Sequence, residues 1–293
     1  MKIYIFPNLN KKNCAEYTVS ACNVLNSCGS ELFIDIKYKN EFQHLKFLNF
    51  INETDCISDC DIIVVIGGDG TILKCAKLAA SFKKPILGIN CGRLGFMTSL
   101  EHNQIELLEK LCRGEYTTSR RMMLSVSVEP KNKEHLKFTA LNDVVISKCD
   151  DCKIADFEVS KSGKTISSLR ADGVIFSTPT GATAYSMSAG GPIIEPELEC
   201  IEYTQICAHT LFARSVVLSP DSVIKIKSKC NKNAHTYVNV DGSIVYRLTN
   251  DDEVRVSKSR YYIDLIDIAG GSFFASVNKK LMQPLKEISE DKD

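Results

Sequence analysis

Asp61-Ile62-Ile63-Val64-Val65-Ile66 runs directly into Gly67-Gly68-Asp69-Gly70-Thr71, and Thr71 to Phe82 then carries helical spacing. The apolar run is continuous rather than alternating, which suits a parallel strand covered on both faces. Strand, glycine loop and helix in immediate succession imply a doubly wound parallel sheet. The segments on either side extend the pattern. Lys2 to Phe6 reads as a short buried strand, Asn13 to Cys28 as a helix stopped by Gly29, and Leu32 to Ile36 as a second strand. Pro85 to Ile89 is again an apolar strand, followed by a glycine-rich loop from Gly92 to Gly95 and a polar helix from Gln104 to Arg113.

Beyond about Ser119 the period becomes mainly two. Met123–Val128, Phe138–Ile146, Ala155–Val159, Val174–Ser177, Val223–Ile226 and Glu253–Ile266 alternate or run as β-branched stretches. Ser162-Gly163 and Asp241-Gly242 between them predict tight hairpins. The second half is therefore mostly antiparallel β. The last ~20 residues turn polar and charged and read as a loose tail.

With 293 residues the chain can bury a full core, as one large domain or two medium ones. Its 36 basic and 36 acidic residues cancel, so no global field points to nucleic acid or an anionic membrane. Neither a signal-peptide core nor an apolar run of ~20 residues is present, which predicts a cytoplasmic protein. Thirteen cysteines at irregular spacing read as reduced thiols rather than a disulfide frame. Cys149 and Cys152 form the only C-x-x-C pair, and a structural zinc site wants a second.

Glycines between a buried strand and a helix start let backbone N–H groups approach an anion, and the helix terminus adds favourable partial charge. The loop is neither a Walker A sequence nor the G-x-G-x-x-G of dinucleotide folds. Asp69 is its informative member. A carboxylate in a phosphate cradle is repelled by the ligand unless its charge is put to use. It can hold Mg²⁺ against the phosphates, or take a proton from a hydroxyl about to be phosphorylated. The plainer alternative is a helix-capping Asp, but two glycines before it and one after exceed what a cap requires. Ser162-Gly163-Lys164-Thr165 imitates the end of a Walker A motif, yet Glu158 stands where its first glycine belongs, so it reads as a hairpin tip.

The stretch from Asp172 to Pro192 is the longest distinctive one, and it carries no charge between Ser177 and Pro192. Small hydroxyl residues and exposed amides suit a polar ligand with sugar and amide groups, and Tyr185 can stack on a flat ring. The alternative is a Ser/Thr-rich loop entering a short helix. Asn142-Asp143 interrupts an apolar strand from Leu141 to Ile146, and the two side chains can grip vicinal ribose hydroxyls; a strand-edge turn is the other reading. Arg170 and Asp172, at the entry to the hydroxyl stretch, read alone as a surface ion pair.

Taken together, Gly67-Gly68-Asp69-Gly70-Thr71, Gly88-Ile89-Asn90 with Gly92 and Leu94-Gly95-Phe96, Leu141-Asn142-Asp143, and Ser177 through Pro192 resemble the ordered motifs of bacterial NAD kinases. The acid loop alone is shared with diacylglycerol-kinase-like and phosphofructokinase-like enzymes, which keeps a lipid or sugar kinase as the rival activity. A non-catalytic NAD(P)-binding sensor is the second alternative. The resemblance implies an α/β N-terminal doubly wound domain, residues 1–118 with a returning segment of about 272–293. It implies a β-sandwich C-terminal domain over 119–271. It further implies transfer of the γ-phosphate of ATP, with Mg²⁺ or another divalent cation, to the 2′-hydroxyl of the adenosine ribose of NAD, giving NADP. By the family pattern Asp69 is the proton acceptor and Gly70 flanks it, while Asn142 and Asp143 contact NAD. Lys153, Arg170, Asp172 and the run Thr183, Ala184, Tyr185, Ser186, Met187 and Ser188 complete the dinucleotide site. The family is usually dimeric or tetrameric, which implies a homodimer or homotetramer here. Ala182 stands where Ser is usual, and Ala208, Ala213 and Ser215 replace Pro, Asn and Pro around His209-Thr210-Leu211.

Overall fold

The computed structural model describes residues 1–92, 95–131, 134–149, 154–211, 213–230 and 235–282. Their contacts form two units, Met1–Ser119 with Asp264–Asp293, and Arg120–Ile263.

In the first unit the elements are β1 (Lys2–Pro7), α1 (Cys14–Ser27), β2 (Glu31–Asp35), α2 (Lys39–Phe42), β3 (Leu48–Ile51), α3 (Glu53–Asp59), β4 (Ile62–Gly67), α4 (Asp69–Phe82), β5 (Ile86–Asn90), β6 (Leu100–Glu101) and α5 (Leu108–Arg113). The sheet order is β3-β2-β1-β4-β5, with parallel ladders throughout. All six residues of β4 and all five of β5 are buried, as an apolar run predicts for a strand covered on both faces. From β1 the chain winds outward one way through β2 and β3, and from β4 the other way to β5. The carboxyl ends of β1 and β4 thus flank a topological switch point, the place where open α/β sheets bind ligands. The Gly-rich loop leaves the sheet there.

The second unit contains β7 (Thr117–Glu129, entered from the first), β8 (Leu136–Ala140), β9 (Asp143–Lys148), β10 (Ala155–Lys161), β11 (Lys164–Ala171), β12 (Gly173–Ser177), α6 (Tyr185–Ser188), β13 (Ile201–Ile206), β14 (Val216–Leu218), β15 (Ile224–Lys229), β16 (Thr236–Val240), β17 (Ser243–Leu248) and most of β18 (Glu253–Asp267). One layer runs β11-β10-β15-β18-β7-β8 and the other β14-β13-β12-β9-β16-β17. Inward residues of both, among them Val126, Ile146, Phe157, Phe176, Tyr203, Ile226, Val240 and Val256, make one buried cluster, so this unit is a β-sandwich. Ser162 and Gly163 have φ of 51° and 77°, and Asp241 and Gly242 48° and 77°. Two successive positive φ values are the type I′ geometry that both sequence turns predict.

The last residues of β18 and helix α7 (Phe273–Met282) belong to the first unit, where Leu265 lies parallel to Ile86 of β5. Here a prediction fails. The polar C-terminal stretch is not a loose tail as far as Met282: α7 buries Val277 at 6 % exposure, and apolar residues every third or fourth place outweigh the flanking charges. Three smaller differences have local causes. Helix α4 begins at Asp69 rather than Thr71, because Gly68 provides the extended entry. The expected helix from Gln104 splits into a 3-10 turn, His102–Leu107, and α5. Phe138–Ile146 is two strands, parted at Leu141-Asn142.

Candidate active site

Asp69 occupies the first turn of α4. The Phe96 N–H donates to its Oδ2 at 2.7 Å and the Met97 N–H to its Oδ1 at 3.1 Å. The loop after β5 thus fixes the carboxylate from outside its own helix. Gly95 makes this approach possible, because a Cβ there would stand 2.1 Å from Asp69 Oδ1. A Cβ on Gly70 would meet nothing within 4 Å, so packing alone leaves that position open. Two cations escaped sequence reasoning. Lys11 Nζ donates to the Gly67 carbonyl at 3.0 Å. Lys280 Nζ, from α7, lies 4.0 Å from Asp69 Oδ2 and 3.5 Å from the centre of the Phe96 ring. Burial pulls the Lys280 ammonium below the usual lysine range, against the opposing charge of Asp69. Neither lysine sits in a recognisable motif. Only the fold brings them to the loop.

In the second unit Asp241 organises the turn between β8 and β9. Its carboxylate accepts from the N–H groups of Leu141 (3.1 Å), Asn142 (2.8 Å) and Asp143 (3.2 Å). Asn142 Oδ1 is buried and has no hydrogen-bond partner among the described residues. Asp143 is 5 % exposed, and burial first, with the Asp241 charge second, raises its carboxyl from 3.8 to about 7. The hydroxyl stretch packs on this turn: Thr178 donates its Oγ1–H to Leu141 O at 2.6 Å and its N–H to Asn142 O at 2.9 Å. The structure therefore brings Asn142 and Asp143 together with the segment leading to α6.

That run divides by side chain. Tyr185 is 46 % exposed and its ring is open to stacking. Ser188 is exposed, Ala184 and Met187 are half-buried, and Thr183 is buried with its hydroxyl on the Thr180 carbonyl at 3.3 Å. Ser186 turns inward, donating to Thr204 Oγ1 at 2.9 Å, and Thr204 donates to Glu202 Oε1 at 3.0 Å. Glu202 is fully buried, and burial raises its carboxyl above the ordinary range. Sequence reasoning missed Glu202, which reaches the hydroxyl run through Thr204, and Asp241, which acts on residues about a hundred positions away.

Arg170 and Asp172 do not pair with one another, contrary to the surface ion pair read from their spacing. Each is drawn to a neighbouring segment instead: Arg170 meets Asp156 on the adjacent strand (2.9 Å), and Asp172, just past the end of β11, meets Lys148 (2.7 Å). Arg170 also borders a cavity of about 730 Å³, with Glu158, Gln205, His209, Lys227 and Lys229. None of the other proposed ligand contacts lines it. Lys153 lies outside the described residues, as do Arg93, Leu94 and Cys152.

No group of three or more His, Cys, Asp or Glu side chains among the described residues is arranged as a metal cage. The donor set nonetheless fits a divalent cation carried by a nucleotide. Such an ion takes one or two carboxylates plus phosphate oxygens and water, and each Asp69 oxygen keeps a lone pair beyond its one N–H partner. No helix among the described residues is long and apolar enough to cross a membrane.

Comparison with known proteins agrees with this geometry. Residues 3–116 match the ATP-NAD kinase N-terminal domain, and residues 141–268 the ATP-NAD kinase C-terminal domain. An NAD kinase from Caldanaerobacter subterraneus is 38 % identical over 283 residues, covering 96 % of this chain and 99 % of that protein. One from Clostridium beijerinckii is 40 % identical over 263 residues, covering 87 % and 91 %. Among solved structures, yeast NADH kinase complexed with NADH aligns with a TM-score of 0.86 at 24 % identity, over 96 % of this chain and 87 % of that one. An NAD kinase from Archaeoglobus fulgidus in complex with ATP aligns with a TM-score of 0.72 at 23 % identity, over 96 % and 98 %. These two extend the likeness to the fold. With both units matched in order and near-full-length relatives at 38 % and 40 % identity, the chain belongs to the ATP-NAD kinase family.

Proposed function

We propose that this protein is an NAD kinase in which Asp69 accepts the proton of the adenosine ribose 2′-hydroxyl as the γ-phosphate of ATP is transferred to it, giving NADP. The observation that carries this reading is the Asp69 carboxylate itself, held by the Phe96 and Met97 amides at the start of α4 and beside Gly67-Gly68. A carboxylate so fixed loses little freedom on reaching its proton, and positioning supplies much of the acceleration in phosphoryl transfer. Gly70 leaves the α4 N-terminus open to phosphate oxygens. Mg²⁺ or another divalent cation carried by the ATP phosphates would neutralise charge on the transferred group, and Asp69 would be the side chain to share it.

On the acceptor side Asn142 and Asp143 contact the ribose. The buried Asn142 Oδ1 has no donor among the described residues, and a sugar hydroxyl would supply one. Tyr185 stacks on a ring of the dinucleotide, and Thr183, Ala184, Met187 and Ser188 line its path with neutral groups. Ser186 acts from behind, through Thr204 and Glu202. Arg170, Asp172 and Lys153 complete the dinucleotide contacts by the family pattern. A homodimer or homotetramer is the working assembly. Exposed Val216 and Val217 on the edge strand β14, with Leu211 nearby in sequence, suit such an interface.

The test incubates purified protein with Mg·ATP and NAD and reads NADP with an NADP-specific dehydrogenase, with diacylglycerol and sugar acceptors in parallel. NADP formation alone is expected. Phosphorylation of lipid or sugar without NADP would replace this reading by the rival kinase, and binding without transfer would replace it by the sensor. Asp69→Asn keeps the fold and lowers turnover by about 10²- to 10⁴-fold, the usual contribution of general acid–base catalysis; full activity in that variant removes Asp69 from the mechanism.

A further inference from the structure

Two thiols flank the Gly-rich loop without a part in the proposed transfer. Cys14 opens α1 and is fully buried; Cys91 follows β5 and is partly exposed. Their sulfurs are 3.7 Å apart, with the Cys91 thiol directed at Cys14 Sγ. The Cys14 thiol in turn reaches the Ile66 carbonyl at 3.2 Å, and the Cys91 N–H donates to the Gly67 carbonyl at 2.9 Å. Each cysteine is therefore tied to one of the two residues that lead into Gly68-Asp69. Lys11 Nζ, on the same Gly67 carbonyl, adds a positive charge nearby. No other pair of thiols among the described residues bonds to that loop.

We propose that Cys14 and Cys91 are an oxidisable dithiol, which a peroxide converts to a disulfide that displaces the loop holding Asp69. The exposed partner reacts first. The Cys91 sulfur attacks one peroxide oxygen, the O–O bond breaks, and Cys91 sulfenic acid and one water form. Cys14 then attacks the sulfenic sulfur, expelling its hydroxyl as a second water once the Cys14 proton is counted. Two thiols have lost two electrons, and hydrogen peroxide has gained them. The Cys91 hydrogen bond lowers the Cys14 thiol to about 7 against the opposing effect of burial, which suits Cys14 to the second step; the same bond raises Cys91, so it is access rather than acidity that makes Cys91 react first.

The consequence follows from distance. A disulfide needs its sulfurs about 2.05 Å apart, so a 3.7 Å gap must close by well over 1 Å. Cys14 lies in a 14-residue helix packed on the sheet, whereas Cys91 leads into the loop whose Phe96 and Met97 amides hold Asp69. The loop therefore yields, and displacements of this size at a reacting centre cost up to about 10²-fold in rate.

The test treats the whole reduced protein with hydrogen peroxide, then maps disulfides by peptide mass spectrometry and follows NADP formation. A cross-link joining the Cys14 and Cys91 peptides is expected, with turnover about ten- to a hundredfold lower and recovered on adding dithiothreitol. Cys91→Ser should keep its activity through the same treatment. Absence of that cross-link when the exposed Cys28 and Cys207 have been oxidised overturns the proposal, as does equal inactivation of Cys91→Ser. Should the serine variant fold poorly, the cross-link and its reversal in the unmodified chain decide the matter. The cross-link is read independently of NAD kinase activity, so failure here is distinguishable from failure of the proposed function.

Discussion

Asp143→Asn replaces a buried carboxyl by an uncharged group of the same shape and should change how stability depends on pH. The Asp143 carboxyl is raised from 3.8 to about 7 because it is 5 % exposed and faces Asp241, whose own charge is held by three backbone N–H groups. A group with its folded pKa above the unfolded one favours folding while protonated. Its stabilisation is complete below pH 3.8 and is lost as pH rises to about 7. Each pH step is worth about 1.4 kcal/mol, so this single group removes about 4 kcal/mol across that interval. The Asn variant does not titrate. Urea unfolding of both proteins followed by circular dichroism, at pH 4.5, 6 and 8, measures the difference. The variant should gain on the parent with rising pH, by most of those 4 kcal/mol, and the gain should level off above pH 7. Parallel stability curves at all three pH values would refute the reasoning, because they would mean that Asp143 is already ionised in the fold at low pH. In the proposed function the same change removes a ribose contact, so NAD should bind more weakly even where the variant is more stable.

Three further substitutions separate packing from chemistry. Gly70→Ala meets no atom within 4 Å and removes a glycine from a helix, so it should raise stability by up to about 1 kcal/mol. If ATP phosphates approach there, its KM for ATP nevertheless rises; an unchanged KM places the phosphates elsewhere. Gly95→Ala puts a methyl 2.1 Å from Asp69 Oδ1 and should lower turnover by about 10²-fold, and activity equal to the parent's would show that the carboxylate's position is unimportant. Ser186→Ala leaves buried Thr204 and Glu202 short of a partner and should cost about 1–3 kcal/mol in a thermal melt. A large rise in the KM for NAD with an unaltered melt would instead assign Ser186 to the ligand.

Local patterns carried most of the architecture. The apolar run of β4 predicted a covered parallel strand, and two dipeptides predicted hairpins, each placing a Gly and the residue before it, Ser162 or Asp241, in the left-handed region. Strands β3, β13 and β14 were not foreseen, since short segments such as Val216–Leu218 gain their identity from the ladder beside them. Candidate site residues were legible where chemistry concentrates in a motif, as at Gly67 to Thr71. Partners joined across the chain were not. Asp241 reaches the amides of residues 141–143 from about a hundred positions away, and Lys280 reaches Asp69 from further still. Arg170 and Asp172 illustrate the same limit: closeness in sequence suggested one ion pair, and the neighbouring strands gave two separate ones.

The discontinuity of the first unit bears on how the chain emerges from the ribosome. Leu265 extends the sheet beside Ile86, Ile266 and Ile268 complete its core, and Asp267 accepts from the Ser99 hydroxyl at 2.9 Å. None of these exists until about 140 more residues have followed Ser119, a wait on the order of 10 s at ordinary translation rates. During that interval the Ile86 end of β5 lacks its neighbour, since β6 covers only the Ile89–Asn90 end, and the sheet lacks part of its apolar cover. A polypeptide released early, after the sandwich but before Asp264, would keep that edge open, offering quality-control proteases and chaperones a mark of unfinished synthesis.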